Sequence, residues 1–390
     1  MSLSVAHLGH GMGAELEHKD WADISHDELN ALKPFYPLLQ GEITILWKSP
    51  RPFSSAMLIR VNHTSYFIKR SHGSFRSVED LLQEHRFIRH LFIKGMDVPH
   101  LIESVSGKTA IALGAWSYEV HHKAKGDDVY INQLSWKPFF YPQHAAKAGK
   151  TLAELHHAAQ NFPILHGRSA QYLVSNQKLL DSDDIQSAIQ HRIQHSPELR
   201  TYFADKIFDE IVLEQLSGVH QQIKTVFHQA KNIWTHNDLH ASNLLWSNSG
   251  VDAEISSIID FGLSDRNSAV YDLAVAIERN FIDWLALTEN SELTIDYLGL
   301  KAFLQAYVAH SSLNHQEYLI LPDLLKIVHV DFAFSELEYF VGITRNLKHA
   351  DAAYYDWLIS HTAWFFSQQG EHFIQILSDM LTKILSPKEF

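Results

Sequence analysis

The sequence has no cysteine. A disulfide framework, a thiolate nucleophile and any sulfur-ligated zinc cluster are therefore excluded. Long apolar runs are also lacking: no stretch approaches the roughly eighteen uninterrupted apolar residues of a membrane span. The opening MSLSVAHLGHGMGAELEHKD has no basic segment followed by an apolar core, as a secretory signal would. No membrane association is expected, and the location expected is cytoplasmic. Basic residues are few, with 32 Lys and Arg against 45 Asp and Glu, a formal charge of -13 and no basic run that could track a phosphate backbone. A nucleic-acid partner is not expected. One glycine cluster, GHGMG at 9–13, lacks the strand-loop-helix setting of a nucleotide loop and reads as a flexible tail.

What is present is ordinary globular material, 390 residues with 46% hydrophobic and 20% charged, enough for two lobes with their own cores. After a leader and N-terminal helix (1–41), short β-branched and aromatic runs appear at ITILW (43–47), AMLIRV (56–61) and SYFIKR (65–70). The turn Asn62-His63 between the last two makes them an antiparallel meander. Ser77 with Asp80 forms a capping box that opens a helix ended by Gly95. Two more strands follow at 109–113 and 116–122. Beyond KAKGDD (123–128) helical patterns dominate, beginning with HAAKAGKTLAELHHAAQ, whose small residues permit close helix packing. The expected division is an N-lobe at 42–122, β-rich with one helix, and a mainly helical C-lobe at 123–390, an α+β architecture.

Residues 235–243 read THNDLHASN. His236 and His240 have the i, i+4 spacing of a helical zinc site, whereas Asp238 and Asn243 have the spacing of a kinase catalytic loop. A zinc pair needs a helix. The flanks NIWT, NLLWS and EISSIIDFG are strand-like, and Asn237 stands where a zinc protease has its glutamate. The stretch therefore reads as a loop built for phosphoryl transfer. In that chemistry Asp238 orients the acceptor hydroxyl and takes its proton, while Asn243 and Asp260, from IIDFG, offer hard oxygens to Mg2+. Lys69 reaches the phosphates of ATP, and Glu84 on the following helix pairs with it. Glu79 is a rival partner, better suited to the helix dipole.

These motifs resemble the aminoglycoside phosphotransferase and choline kinase-like superfamily. THNDLHASNLLW is similar to its H-G-D-x-H-x-x-N loop, SIIDFGLSDRNSAVYDLA to its metal-binding segment, and AGKTLAELHHAAQNFP to the helix opening the C-lobe in the homoserine kinase-like branch. The resemblance implies a bilobal protein kinase-like fold and an ATP- and Mg2+-dependent phosphotransferase acting on a hydroxyl of a small molecule. It implies that Asp238 is catalytic, that backbone groups around Val120 to His122 meet the adenine, and that Asp272 braces the loop through its amides. His236 and His240 organise the loop, with direct contact of His240 to phosphate or substrate as the sharper alternative.

Two departures stand out. Asn237 replaces the usual glycine, and the phosphate-covering turn SPRPFSSAM (49–57) contains no glycine. Amides of Phe53 to Ala56, the hydroxyls of Ser54 and Ser55, and Arg51 could still face phosphate. Candidate walls of the acceptor site are Asp265, Arg266, Glu278, Arg279 and the insertion 126–142. The remaining histidines of the 27 fall mostly singly on helical segments and are assigned no metal. Three functions stay open: a small-molecule kinase, a protein serine/threonine kinase of the bacterial stress-response type, and a non-catalytic kinase-like module.

Overall fold

The alternating runs at 43–72 form three strands of one antiparallel sheet: β1 (Ile43–Lys48), β2 (Ser55–Val61) and β3 (Thr64–His72). Asn62, at φ 55°, turns β2 into β3. β4 (Ala110–Leu113) and β5 (Trp116–His122) complete the order β1-β2-β3-β5-β4. This computed structural model describes residues 20–49, 53–133, 136–163, 167–168, 172–288 and 293–386. The glycine cluster at 9–13 and Arg51 lie outside them.

Strand alternation gives the sheet two chemically different faces. One carries Met57, Ile59, Ile68, Tyr118 and Val120, and is sealed by Leu29 and Leu32 of α1 (His26–Leu32). Helix α1 starts at a capping box between Ser25 and Glu28. The opposite face carries Lys69, Glu119 and His121 and meets α2 (Val78–Ile93), which starts at the capping box of Ser77 and Asp80. Phe87, Ile88 and Leu91 of α2 belong to the hydrophobic core of the C-lobe. Helix α2 is therefore anchored from below, and its contact with the sheet is polar.

The C-lobe runs through α3 (Pro142–Ala159), α4 (Ile185–His195), α5 (Pro197–Tyr202) and α6 (Glu210–Phe227) into four short strands. These are β6 (Asn232–Thr235), β7 (Leu244–Trp246), β8 (Ile255–Ile258) and β9 (Asp265–Ser268), paired β6 with β9 and β7 with β8. Then follow α7 (Ala269–Phe281), α8 (Trp284–Thr288), α9 (Tyr297–His310), α10 (His315–Leu325) and α11 (His329–Tyr339). The lobe ends with α12 (Leu347–Asp351), α13 (His361–Phe365) and α14 (Gln368–Leu385). None of the described helices is long and apolar enough to cross a membrane. The leader joins both lobes: Trp21 Nε1 donates to the Tyr339 hydroxyl at 3.1 Å, which donates to Asp20 at 2.9 Å, while Ser55 Oγ donates to the Ala22 carbonyl at 2.6 Å.

Helices α3 and α9 approach closely because Gly149 has no side chain. A Cβ there would lie 2.2 Å from the Phe303 carbonyl oxygen, whereas one at Gly218 on α6 would meet nothing within 4 Å. Gly149→Ala is expected to cost about 1–3 kcal/mol of stability by overpacking, and Gly218→Ala to add about 0.5–1 kcal/mol. Urea denaturation of both variants checks the contrast. A second expectation comes from the C-lobe core, where burial pushes His329 from 6.5 down to about 4. The folded ring stays neutral while the unfolded chain takes up a proton below 6.5. This contribution is therefore intact above that pH and is lost as pH falls toward 4. Measured against pH, His329→Gln should remove up to about 1.4 kcal/mol per pH unit of that slope.

Candidate active site

The stretch between β6 and β7 is a buried loop that ends in one 3-10 turn at Ala241–Asn243, not an α-helix that would put His236 and His240 on one face. Asn237 takes a left-handed backbone, φ 60°, the conformation that glycine and asparagine tolerate best. Its side chain is also put to use: Nδ2 donates to the carbonyls of Ser175 and Leu263, at 3.0 and 3.3 Å, and Oδ1 accepts from Thr235 at 2.7 Å. Asp272, fully buried in the first turn of α7, accepts the amide of His236 at 3.1 Å and that of Asn237 at 2.8 Å. His156 of α3 lies 3.0 Å from the same carboxylate. Asn280, two turns further along α7, accepts the amide of Ala241 and donates to the Leu239 carbonyl.

His236 is a loop organiser. Its Nε2 donates to the Ile259 carbonyl at 3.0 Å and its Nδ1 accepts the Asp238 amide at 3.2 Å. Those two bonds select one neutral tautomer, and burial lowers the ring's pKa in the same sense. The Ile259 bond also fixes the residue before Asp260.

Asp238 and Asn243 meet directly. Asn243 Nδ2 donates to the Asp238 carbonyl at 2.8 Å and to its Oδ2 at 3.2 Å, which leaves Asn243 Oδ1 as the oxygen available to a cation. The other Asp238 oxygen is ion-paired with Arg279 Nη1 and lies 3.7 Å from His240 Nε2. Across the cleft, Asp260 has a left-handed backbone and its carboxylate sits 2.9 Å from Lys69 Nζ. Desolvation opposes ionisation of Asp260, but Lys69, and Arg76 beyond it, hold the carboxyl well below its ordinary range. For Lys69, desolvation is outweighed by Asp260, Glu119 and Glu84, which raise its pKa. Lys69, Asp238, Asn243 and Asp260 all line one pocket, together with Ser54 and His240.

Other expected residues stand elsewhere. Glu84 does not pair with Lys69; its Oε2 accepts from Arg168 at 2.9 Å and Arg76 at 3.3 Å, two guanidinium groups that out-compete a lysine for a buried carboxylate. Ser55 is turned from the pocket: buried in β2, it bonds to Ala22 and accepts from Arg70, so it anchors the leader. Two of the backbone groups expected at the purine are taken: the Val120 carbonyl accepts from the Ile102 amide and the His122 amide donates to the His100 carbonyl. Of the acceptor-wall candidates, Asp265 is buried and accepts the amides of Arg168 and Arg266. Burial raises the pKa of Glu278 well above its ordinary range, and Arg266 is exposed. Arg279 alone of the four lines the pocket, its guanidinium about 5 Å from the rings of Trp136 (5.0 Å) and Phe332 (4.9 Å). Burial lowers its pKa to about 9, with Glu336 opposing, so it remains cationic at neutral pH.

Sequence reasoning missed Arg168 and Asn280. Arg168 bonds Glu84, the Phe261 carbonyl and Ser264 at 2.9–3.1 Å, tying α2 to the Asp260 turn. No periodicity marks it; only the fold brings it there. Asn280 was findable as a polar residue in the apolar run of α7.

Removing the brace has a defined consequence. Asp272→Ala leaves two buried loop amides without acceptors, each worth about 1–3 kcal/mol. Denaturation midpoints should fall accordingly, and the displaced Asp238 should slow turnover by about 100-fold.

Residues 53–307 match the family model described as phosphotransferase enzyme family. A homoserine kinase of Methylobacillus flagellatus is 24% identical over 321 residues, 77% of this chain and 85% of that protein. The amicoumacin kinase of Bacillus subtilis is 21% identical over 324 residues, 80% and 85% of the two chains. Among solved structures, a microcompartment-associated aminopropanol kinase superposes with a TM-score of 0.54 at 14% identity, over 88% of this chain and 97% of that one. At that identity the superposition bears on the fold alone, which is the bilobal kinase-like one. Because the family model spans well over half of the sequence, the chain belongs to the phosphotransferase enzyme family and is a phosphotransferase with an alcohol group as acceptor.

Proposed function

We propose that the protein transfers the γ-phosphoryl group of ATP, bound with Mg2+, to a hydroxyl of a small molecule. The observation that carries this reading is the convergence of Lys69, Asp238, Asn243 and Asp260 on one cleft. Folding alone does not require that set. Asn243 Oδ1 and the Asp260 carboxylate are hard oxygen donors of the kind Mg2+ prefers, and the ion would offset charge on the phosphate oxygens. Lys69, held protonated beside Asp260, would be free to meet the phosphates if that carboxylate served the cation instead. Asp238 orients the acceptor hydroxyl and accepts its proton as the bond from oxygen to the γ-phosphorus forms and the bond to the leaving ADP oxygen breaks. His240, close to Asp238, helps hold it.

The acceptor we infer is a small hydroxy compound carrying an anionic group. Arg279 supports this: it offers a buried positive charge beside Asp238, between two aromatic rings. Homoserine, the substrate named for the Methylobacillus relative, has such a carboxylate.

The test is incubation with Mg-ATP and, in parallel, L-homoserine, 1-amino-2-propanol, an aminoglycoside and a fractionated metabolite pool, followed by mass spectrometry. A product one phosphoryl group heavier is expected, with the hydroxy acid preferred. Asp238→Asn should lower kcat by about 10²–10⁴-fold. Absence of both ATP binding and turnover would sink the kinase reading, undiminished turnover in the variant would sink the role of Asp238, and phosphate found only on protein would point to a protein kinase instead.

A further inference from the structure

We propose that the N-lobe holds a second cation site, separate from the Asn243–Asp260 pair, formed by His85, Glu119 and His121 and suited to a divalent transition ion such as Zn2+. The three residues come from α2 and β5. Residues 119 and 121 alternate onto the same face of the sheet, and α2 lowers His85 onto that face. All three are buried, at 1%, 2% and 7% exposure for His85, Glu119 and His121. Their ligating atoms lie within 4.8 Å of one another. His85 Nε2 is 2.7 Å and His121 Nε2 2.8 Å from one and the same oxygen, Glu119 Oε2.

The composition is two imidazoles and a carboxylate, the nitrogen and oxygen set that binds borderline divalent ions in a chain without thiolates. His85 is already oriented for it. Its Nδ1 is 2.8 Å from the Thr109 hydroxyl, the kind of outer bond that fixes a ligating ring and leaves Nε2 for the metal. In the ion-bound form each imidazole carries its proton on Nδ1 and gives the Nε2 lone pair to the cation. No net proton is released if the rings start neutral, and Glu119 exchanges two hydrogen bonds for one ionic bond. Tetrahedral coordination at about 2.0–2.2 Å needs the donor atoms about 3.3 Å apart, so the cluster must open by about half an ångström. The fourth position is left to water.

This placement also gives the polar contact between α2 and the sheet a purpose. A buried carboxylate directly opposite Lys69 in the β3–β5 ladder is costly unless it is paired, and the cation would pin α2 to the sheet behind that lysine. The site does not depend on the kinase reading, and its test reads metal rather than turnover.

The full chain, free of any affinity tag and stripped with EDTA, is titrated with Co2+ and then with Zn2+. One saturable equivalent with the visible d–d bands of tetrahedral Co2+, displaced by Zn2+, is expected, and Zn2+ should raise the melting temperature. His121→Gln and Glu119→Gln should abolish the bands, while Thr109→Val should weaken affinity by about 10–100-fold. The histidine-rich surface needs its own control: His191 and His195, stacked at 3.8 Å on α4, form an accessible i, i+4 pair. The bands should persist in His191→Gln. Wild-type protein that gives no tetrahedral Co2+ bands and no Zn2+-dependent melting shift overturns the proposal, whatever the variants do. So do bands that survive Glu119→Gln and disappear in His191→Gln.

Discussion

The carboxylate of Asp272 is the constraint on which the cleft depends. It is fully buried at the start of α7, and both of its oxygens are filled by the two loop amides and by His156. A carboxylate in such a place is unfavourable without those partners, and the amides without the carboxylate are equally so. Each side therefore holds the other. The left-handed turn at Asn237 persists under that restraint, and Asp238 leaves it pointing into the cleft at Asn243 and Arg279. His156 is in turn anchored to Tyr307, so α3 and α9, packed tightly at Gly149, brace the loop from behind.

Above the cleft the organising feature is the difference between the two sheet faces. The outer one is a mainly apolar contact with α1, crossed by the Arg70–Glu28 ion pair and by the Tyr118 hydroxyl, which donates to Glu28. The inner one is a layer of ionisable side chains between sheet and α2, in which Lys69, Glu119 and His85 are neighbours rather than isolated surface charges. Glu84 extends that layer through Arg168 to the Asp260 turn. The orientation of α2 and the position of Asp260 are thus coupled through hydrogen bonds between lobes.

The strands, the Ser77–Asp80 capping box and the loop nature of 235–243 were legible because each is a local pattern: alternation, a three-residue cap spacing, or strand-like flanks; the bracing role of Asp272 was legible only through the family resemblance. The errors share a different character. Ser55 lies in a turn-like stretch that suggests a phosphate contact, but the leader, distant in sequence, claims its hydroxyl. Val120 and His122 have backbone groups taken by the 100–102 segment, whose path no periodicity announces. Glu84 has the expected helix position and the wrong partner, since two arginines compete for it.

The sequence by itself determined the element types and the order of the kinase-like parts, and it supplied Lys69, Asn243 and Asp260 as the candidates proposed for phosphate and magnesium. Those follow from short-range spacing, which the backbone converts directly into geometry. Partner choice belonged to the tertiary structure alone. Whether Lys69 meets Glu84 or Asp260, whether Arg279 reaches Asp238, and whether two histidines 36 positions apart share one carboxylate are decided by which chains pass within a few ångströms. Ion pairs and hydrogen bonds fall off over that distance, so residues far apart in sequence become one site only after the core has packed.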